Sequence, residues 1–170
     1  MNKRPARTLK ARAIGYLARR DYSRKELGAK LLRDARLQAK TSGEPIAEGV
    51  GKDVEAALDA MEALGYLAEA RVVESMVNRK AALQGTARIK QALRNLGVSE
   101  DGSAASLAEL KATEPARAAA AWQRKFGEPP KDLKERAKQM RFLAGRGFAE
   151  SAIRQAVPKI GGRVLADDDA

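Results

Sequence analysis

Leu17-Ala-Arg-Arg-Asp-Tyr-Ser-Arg-Lys-Glu-Leu-Gly-Ala-Lys-Leu31 has a counterpart far along the chain, Leu143-Ala-Gly-Arg-Gly-Phe-Ala-Glu-Ser-Ala-Ile-Arg-Gln-Ala-Val157. The two read alike position by position, and each spells a helix, a corner and a second helix. In the first, Ser23 and Glu26 have the Ser-x-x-Glu spacing in which each side chain can satisfy a backbone N–H of the new helix. Tyr22 before the cap and Leu27 at the fourth helical position have the spacing of a hydrophobic staple. These four residues set where the helix starts and the angle at which the chain enters it. Phe148 and Ile153 repeat the staple, but Ala149 stands where Ser23 stood, a loss that typically costs about 1 kcal/mol.

A shift of 126 residues lays Leu17, Tyr22, Leu27 and Leu31 on Leu143, Phe148, Ile153 and Val157. A shift of 62 lays Ile14, Leu27 and Leu31 on Met76, Ile89 and Leu93. The middle copy keeps the apolar spacing but has Gln84 where the others have an aromatic. Three in-phase copies predict three small helical units in series, each too small to bury its apolar face alone. The expected divisions are a first repeat over 1–67, a second over 68–112, a third over 113–160 and a disordered tail over 161–170. Residues 41–52, with three glycines and a proline, read as a flexible loop inside the first repeat.

Apolar periodicity fills in the helices. The first is expected from Ala6 to Arg19 with Leu9, Ala13, Ile14 and Leu17 inward. A third is expected from Asp53, with Val54, Leu58, Met61 and Leu64 or Gly65 on one face, then another over Glu69 to Leu83. Ile89, Leu93 and Leu96 mark a helix that stops at Gly97. Ser99 to Ser106 reads as a polar loop, followed by a short helix around Leu107 and Leu110. Ala116 to Phe126 carries Trp122 as a core residue. Leu133 to Arg146 turns Ala137, Met140, Leu143 and Ala144 inward, and Glu150 to Val157 closes the series.

Composition agrees. Of the 170 residues 44% are hydrophobic, much of that alanine, while aromatics make up 4% and charged residues 32%. Such a chain suits helices with thin apolar seams, and no run of alternating β-branched and aromatic residues signals a strand. The expectation is an all-α, elongated molecule. No segment approaches the roughly 20 apolar residues that span a bilayer. The basic Met1-Asn-Lys-Arg-Pro5 is not followed by an apolar stretch of signal length, so no membrane association and a cytoplasmic location are expected.

Net charge is +11, and it is uneven: residues 1–40 hold thirteen Lys/Arg against three acids, and the remainder twenty against nineteen. A polyanion or an acidic protein surface is the partner such asymmetry suits. The candidate partner-facing cations are Arg19, Arg20, Arg24, Lys25, Lys30 and Arg33 around the first corner. Around the middle corner they are Arg79, Lys80, Arg88, Lys90 and Arg94, and in the third repeat Lys138, Arg141 and Arg146.

With no cysteine and no histidine, disulfides, thiolate chemistry and Cys/His zinc sites are excluded. A general base would have to be a perturbed carboxylate or lysine. Asp53, Glu55, Asp59 and Glu62 lie close together, but they read as a solvated acidic helix face rather than a metal-holding set. No nucleotide-binding or nucleophile-elbow motif is present. A non-enzymatic protein without cofactor or metal is therefore expected. Two helices joined by a basic corner also suit direct DNA binding, and Lys and Arg favour phosphate contacts over base reading.

The chain resembles the RecX regulatory proteins. The resemblance is carried by Ala13-Ile-Gly-Tyr-Leu-Ala-Arg-Arg-Asp-Tyr-Ser-Arg-Lys-Glu-Leu27, Leu64-Gly-Tyr-Leu67 and Arg88-Ile-Lys-Gln-Ala-Leu-Arg-Asn-Leu-Gly97. Lys134-Glu-Arg-Ala-Lys-Gln-Met-Arg-Phe-Leu-Ala-Gly-Arg-Gly-Phe148, followed by Ile153-Arg154, completes it. It implies three tandem three-helix repeats in a curved, elongated molecule; a monomer is expected. It also implies binding to the RecA nucleoprotein filament, usually with an inhibitory effect in recombination, DNA repair and the SOS response. Single- or double-stranded DNA is the alternative partner, through the basic faces. The chain departs from the family after Gly65-Tyr-Leu67, where Val72 or Val73 replaces an expected aromatic.

Overall fold

A computed structural model describes residues 8–43 and 45–161. All regular structure among them is helical: α1 (Leu9–Leu17), α2 (Arg24–Ser42), α3 (Val50–Ala63), α4 (Glu69–Lys80), α5 (Thr86–Asn95), α6 (Glu100–Ala112), α7 (Glu114–Lys125), α8 (Leu133–Ala144) and α9 (Glu150–Ala156). The array is an all-α series of three-helix repeats. The tail expected to be disordered lies, from residue 162, outside the described residues.

Two compact units can be distinguished. The first comprises the described residues up to Val72 together with Leu96–Val98. In it α1, α2 and α3 enclose Ala13, Tyr22, Leu27, Leu31, Val54, Leu58 and Met61. Leu27 and Leu31 lie one turn apart on α2, and Val54, Leu58 and Met61 share one stripe of α3, so two i, i+4 seams meet. Each such side chain contributes about 1.5–3 kcal/mol when fully withdrawn from water.

The second unit comprises Val73–Asn95 and Ser99 onward. Its main core gathers Ala118, Ala121 and Trp122 of α7, Leu143 of α8, Phe148, and Ala152, Ile153, Ala156 and Val157 in and after α9. Trp122 donates its indole N–H to Gln139 Oε1 at 2.8 Å, and Gln139 is only 1% exposed. A tryptophan buried on all sides needs such an acceptor.

Several expected details are corrected. Ile14 is 47% exposed, because the chain turns out of α1 after Leu17 and the seam needs only Leu9, Ala13, Tyr16 and Leu17. Leu64, past the end of α3, is also exposed. The expected loop at 41–52 is shorter: α2 runs through Ser42 and α3 begins at Val50. The segment from Ser99 is helix rather than loop: Ser99 Oγ accepts from Gly102 N–H at 2.9 Å, and Glu100 and Asp101 occupy the first turn. There acidic side chains oppose the partial positive charge of the helix start. α4 stops at Lys80 and leaves Leu83 exposed, while Ala144 faces solvent at the end of α8.

Candidate functional site: three corners and their basic faces

Corner one is built as the spacing predicts, with one change. Ser23 Oγ accepts from Glu26 N–H at 3.1 Å, and Tyr22 and Leu27 are buried in one cluster. The reciprocal half of the capping box is absent, because the Glu26 carboxylate pairs with Arg20. That hydrogen bond, before all else, raises the Arg20 guanidinium above its ordinary pKa. Arg20 also lies 3.6 Å over the Tyr22 ring, so the cation, the cap acid and the staple aromatic form one cluster. The Ser23 hydroxyl in turn donates to the carbonyl of Leu96, which belongs to the same unit.

Arg24 is not the free cation that its place on the helix suggested. Glu55, Asp59 and Glu62, on one face of α3, converge on its guanidinium at 2.6, 2.7 and 2.7 Å. The hydrogen bonds it donates to Glu55 and Asp59 hold its pKa well above the usual arginine range. The acidic run is therefore a clamp on α2. It is more than a solvated face.

Among the other cations of this corner, Arg19, Lys25 and Arg33 are exposed and make no ion pair among the described residues. Lys30 lies 4.5 Å over the Tyr16 ring, whose hydroxyl donates to Asp34. That hydrogen bond is the main cause of a raised Tyr16 pKa.

In the second unit the middle and third corners meet directly. Gly85 N–H donates to the Arg146 carbonyl at 2.9 Å, and Arg88 donates to the Gly145 carbonyl. Behind them, Arg117 of α7 donates to the carbonyls of Ala81 (2.8 Å), Gln84 (2.7 Å) and Leu110 (2.7 Å) and to Thr86 Oγ1 (3.2 Å). Its neighbour Glu114, only 4% exposed, accepts from Thr86 N–H at 2.8 Å and so caps α5 from another helix. Burial lowers the pKa of Arg117 and the Glu114 charge opposes that shift. Arg117 also lies 5.9 Å over the Phe148 ring. No feature of the spacing singled out Arg117, Glu114 or Gln139, since their partners are far apart in sequence.

The remaining candidates are spread around these corners. Arg94 and Lys90 share Glu100, Lys90 at 3.8 Å, and the hydrogen bond from Arg94 is the main cause of a lowered Glu100 pKa. Arg79 donates to the Ser75 carbonyl within its own helix. Lys80 is half-buried, and Lys138 and Arg141 are exposed on α8. Arg146 stacks 3.6 Å over Phe142 and makes no ion pair among the described residues. Phe148 and Ile153 are buried together as the third staple, and Ala149 caps α9 without any side-chain hydrogen bond. The corners thus position cations.

Residues 113–157 match a family model described as the third three-helix domain of RecX. The chain is 43% identical to the regulatory protein RecX of Ralstonia nicotianae, an alignment covering 95% of this chain and 92% of that protein. It is likewise 43% identical to the regulatory protein RecX of Leptothrix cholodnii, covering 91% and 90%. The fold is similar to the crystal structure of RecX from Lactobacillus salivarius, with a TM-score of 0.65 at 16% identity, over 87% of this chain and 91% of that one.

Proposed function

The chain belongs to the RecX family of regulatory proteins, and from that premise we propose that it binds the RecA nucleoprotein filament and slows its activity without catalysing a reaction itself. The observation that supports this reading is the near full-length match to proteins named as RecX regulators. The physical arrangement is compatible with it. Repeated corners present arginines and lysines along a helical array, and a polymeric, repeating partner suits a repeating ligand. The divisions at 1–67, 68–112 and 113–160 belong to the same reading, as do a monomeric state and a cytoplasmic location.

Within it, the exposed cations of the first corner, Arg19, Lys25 and Arg33, are the preferred contact residues, since none is spent on an internal carboxylate. Titrating the purified protein into RecA assembled on single-stranded DNA, with ATP hydrolysis and strand exchange followed, tests the proposal. A concentration-dependent fall in both is expected. No binding to the filament and no change in either activity would overturn it.

A further inference from the structure

Where the middle and third corners meet, Leu83, Gln84, Arg88, Gly145 and Arg146 line an open cleft of about 370 Å³. Two guanidinium groups contribute to that lining and no carboxylate does. By the repeat register Arg146 corresponds to Arg20, whose salt-bridge partner within its own corner is Glu26. The third corner has Ala152 at the place of Glu26, so that acid is missing beside Arg146, and the middle corner has Arg88 there. Neither Arg88 nor Arg146 makes an ion pair among the described residues.

The surroundings keep these cations oriented without neutralising them. Arg88 is anchored by one donor to the Gly145 carbonyl, and Arg146 by its stack on Phe142. The carbonyls of Ala81 and Gln84 are taken by Arg117, and that of Ala82 by the exposed Arg124. Arg124 is thereby a third guanidinium one residue from the cleft wall at Leu83. Planar forks held in place with donors to spare match the oxygens of a tetrahedral anion, and a row of them matches anions repeated along a chain.

We propose that the cleft between Arg88 and Arg146 is a phosphate-binding site. Its ligand is the phosphodiester of a polynucleotide or the phosphate group of a free nucleotide. The inference goes beyond filament regulation and does not depend on it, because its test contains no RecA.

The protein is titrated against fluorescently labelled oligo(dT), ATP and poly-glutamate, each at several salt concentrations. Variants are Arg88→Glu, Arg146→Glu, their combination, the milder Arg146→Gln, and Lys159→Glu as a charge-matched control at an exposed lysine away from the cleft. The double variant is expected to bind the phosphate ligand at least about tenfold more weakly. Its log–log salt slope should be shallower by roughly 1 for each arginine removed, with the control close to wild type. Loss of oligo(dT) binding in the double variant assigns a polynucleotide source, and loss of ATP binding alone assigns a free nucleotide. Poly-glutamate binding as tight as either, or an equal effect of the Lys159 control, overturns the proposal. Arg146→Gln removes only the charge and the Phe142 stack, so its effect separates lost binding from a disturbed corner; circular dichroism checks that each variant is folded.

Discussion

Gly85 and Gly147 meet backbone to backbone: a Cβ on Gly85 would overlap the Gly147 carbonyl and the Phe148 nitrogen, and one on Gly147 would come within 2.6 Å of Arg88 Cβ. Gly147 also has φ +81°, a left-handed conformation that L side chains rarely adopt. The obstruction at Gly85 is main chain, which no rotamer change relieves. Gly85→Ala should therefore open the junction of the middle and third corners and destabilise the second unit by about 1–3 kcal/mol. Thermal melting followed by circular dichroism would show this; an unchanged midpoint would mean that the corners do not meet as described.

Arg117 joins the same junction from behind. Replacing it with Met keeps much of the side-chain volume but leaves three inward carbonyls and the nearly buried Glu114 without their cation. A loss of roughly 3 kcal/mol is expected, since removing one partner of a desolvated polar cluster exposes the cost of the rest. Arg117→Lys should recover only part of it, because one ammonium cannot span carbonyls on separate turns. Urea unfolding of the two variants beside wild type would measure both effects.

Gln84 holds the place that Tyr22 and Phe148 hold in the other corners, and its Oε1 is buried without a hydrogen-bond partner. An unsatisfied buried acceptor costs about 1–3 kcal/mol. Gln84→Met keeps the length and removes that acceptor, so it should raise stability by about 1 kcal/mol. The same urea titration reads this, and a lower midpoint would contradict it.

How far these features were legible in sequence depends on how local their causes are. The Tyr22/Ser23/Leu27 corner is set by neighbours within five residues, and its cap and staple follow from spacing alone. α6 has a start signal in Ser99-Glu100-Asp101, but Gly102 and the small residues after it carry no apolar stripe, so periodicity gave it no weight. The clamp on Arg24 lies beyond such reasoning, because Glu55, Asp59 and Glu62 are 31 to 38 residues away and only the packing of α2 on α3 aligns them. Arg88 and Arg146 face one cleft for the same reason: two corners meet that are far apart in the chain.

Glu100 gives a pH-dependent test. Its pKa is lowered chiefly by the hydrogen bond from Arg94, with Lys90 adding to the attraction. A carboxylate whose folded pKa is depressed contributes stability that is present above its unfolded value and lost as pH falls through the folded one. The stability difference between wild type and Glu100→Gln should thus be constant near neutrality and should close below the ordinary carboxylate range. Melting midpoints of the two proteins between neutral pH and pH about 3 would show that convergence. A gap that persists in acid would mean that the pair with Arg94 is not its source.

Arg24 and its neighbour Lys25 separate structure from binding within one helical turn. Lys25 is exposed and makes no ion pair among the described residues, whereas Arg24 faces three carboxylates. Arg24→Glu places a fourth acid in the clamp and should loosen α2 from α3. Because those carboxylates are largely exposed, solvent screening limits the loss to about 1 kcal/mol. Lys25→Glu should leave the melting midpoint nearly unchanged while weakening attachment to a RecA–DNA filament. If filament binding falls only with Arg24→Glu, and in step with its melting temperature, then the charge of this turn serves the fold of the first unit and the contact surface lies on other cations.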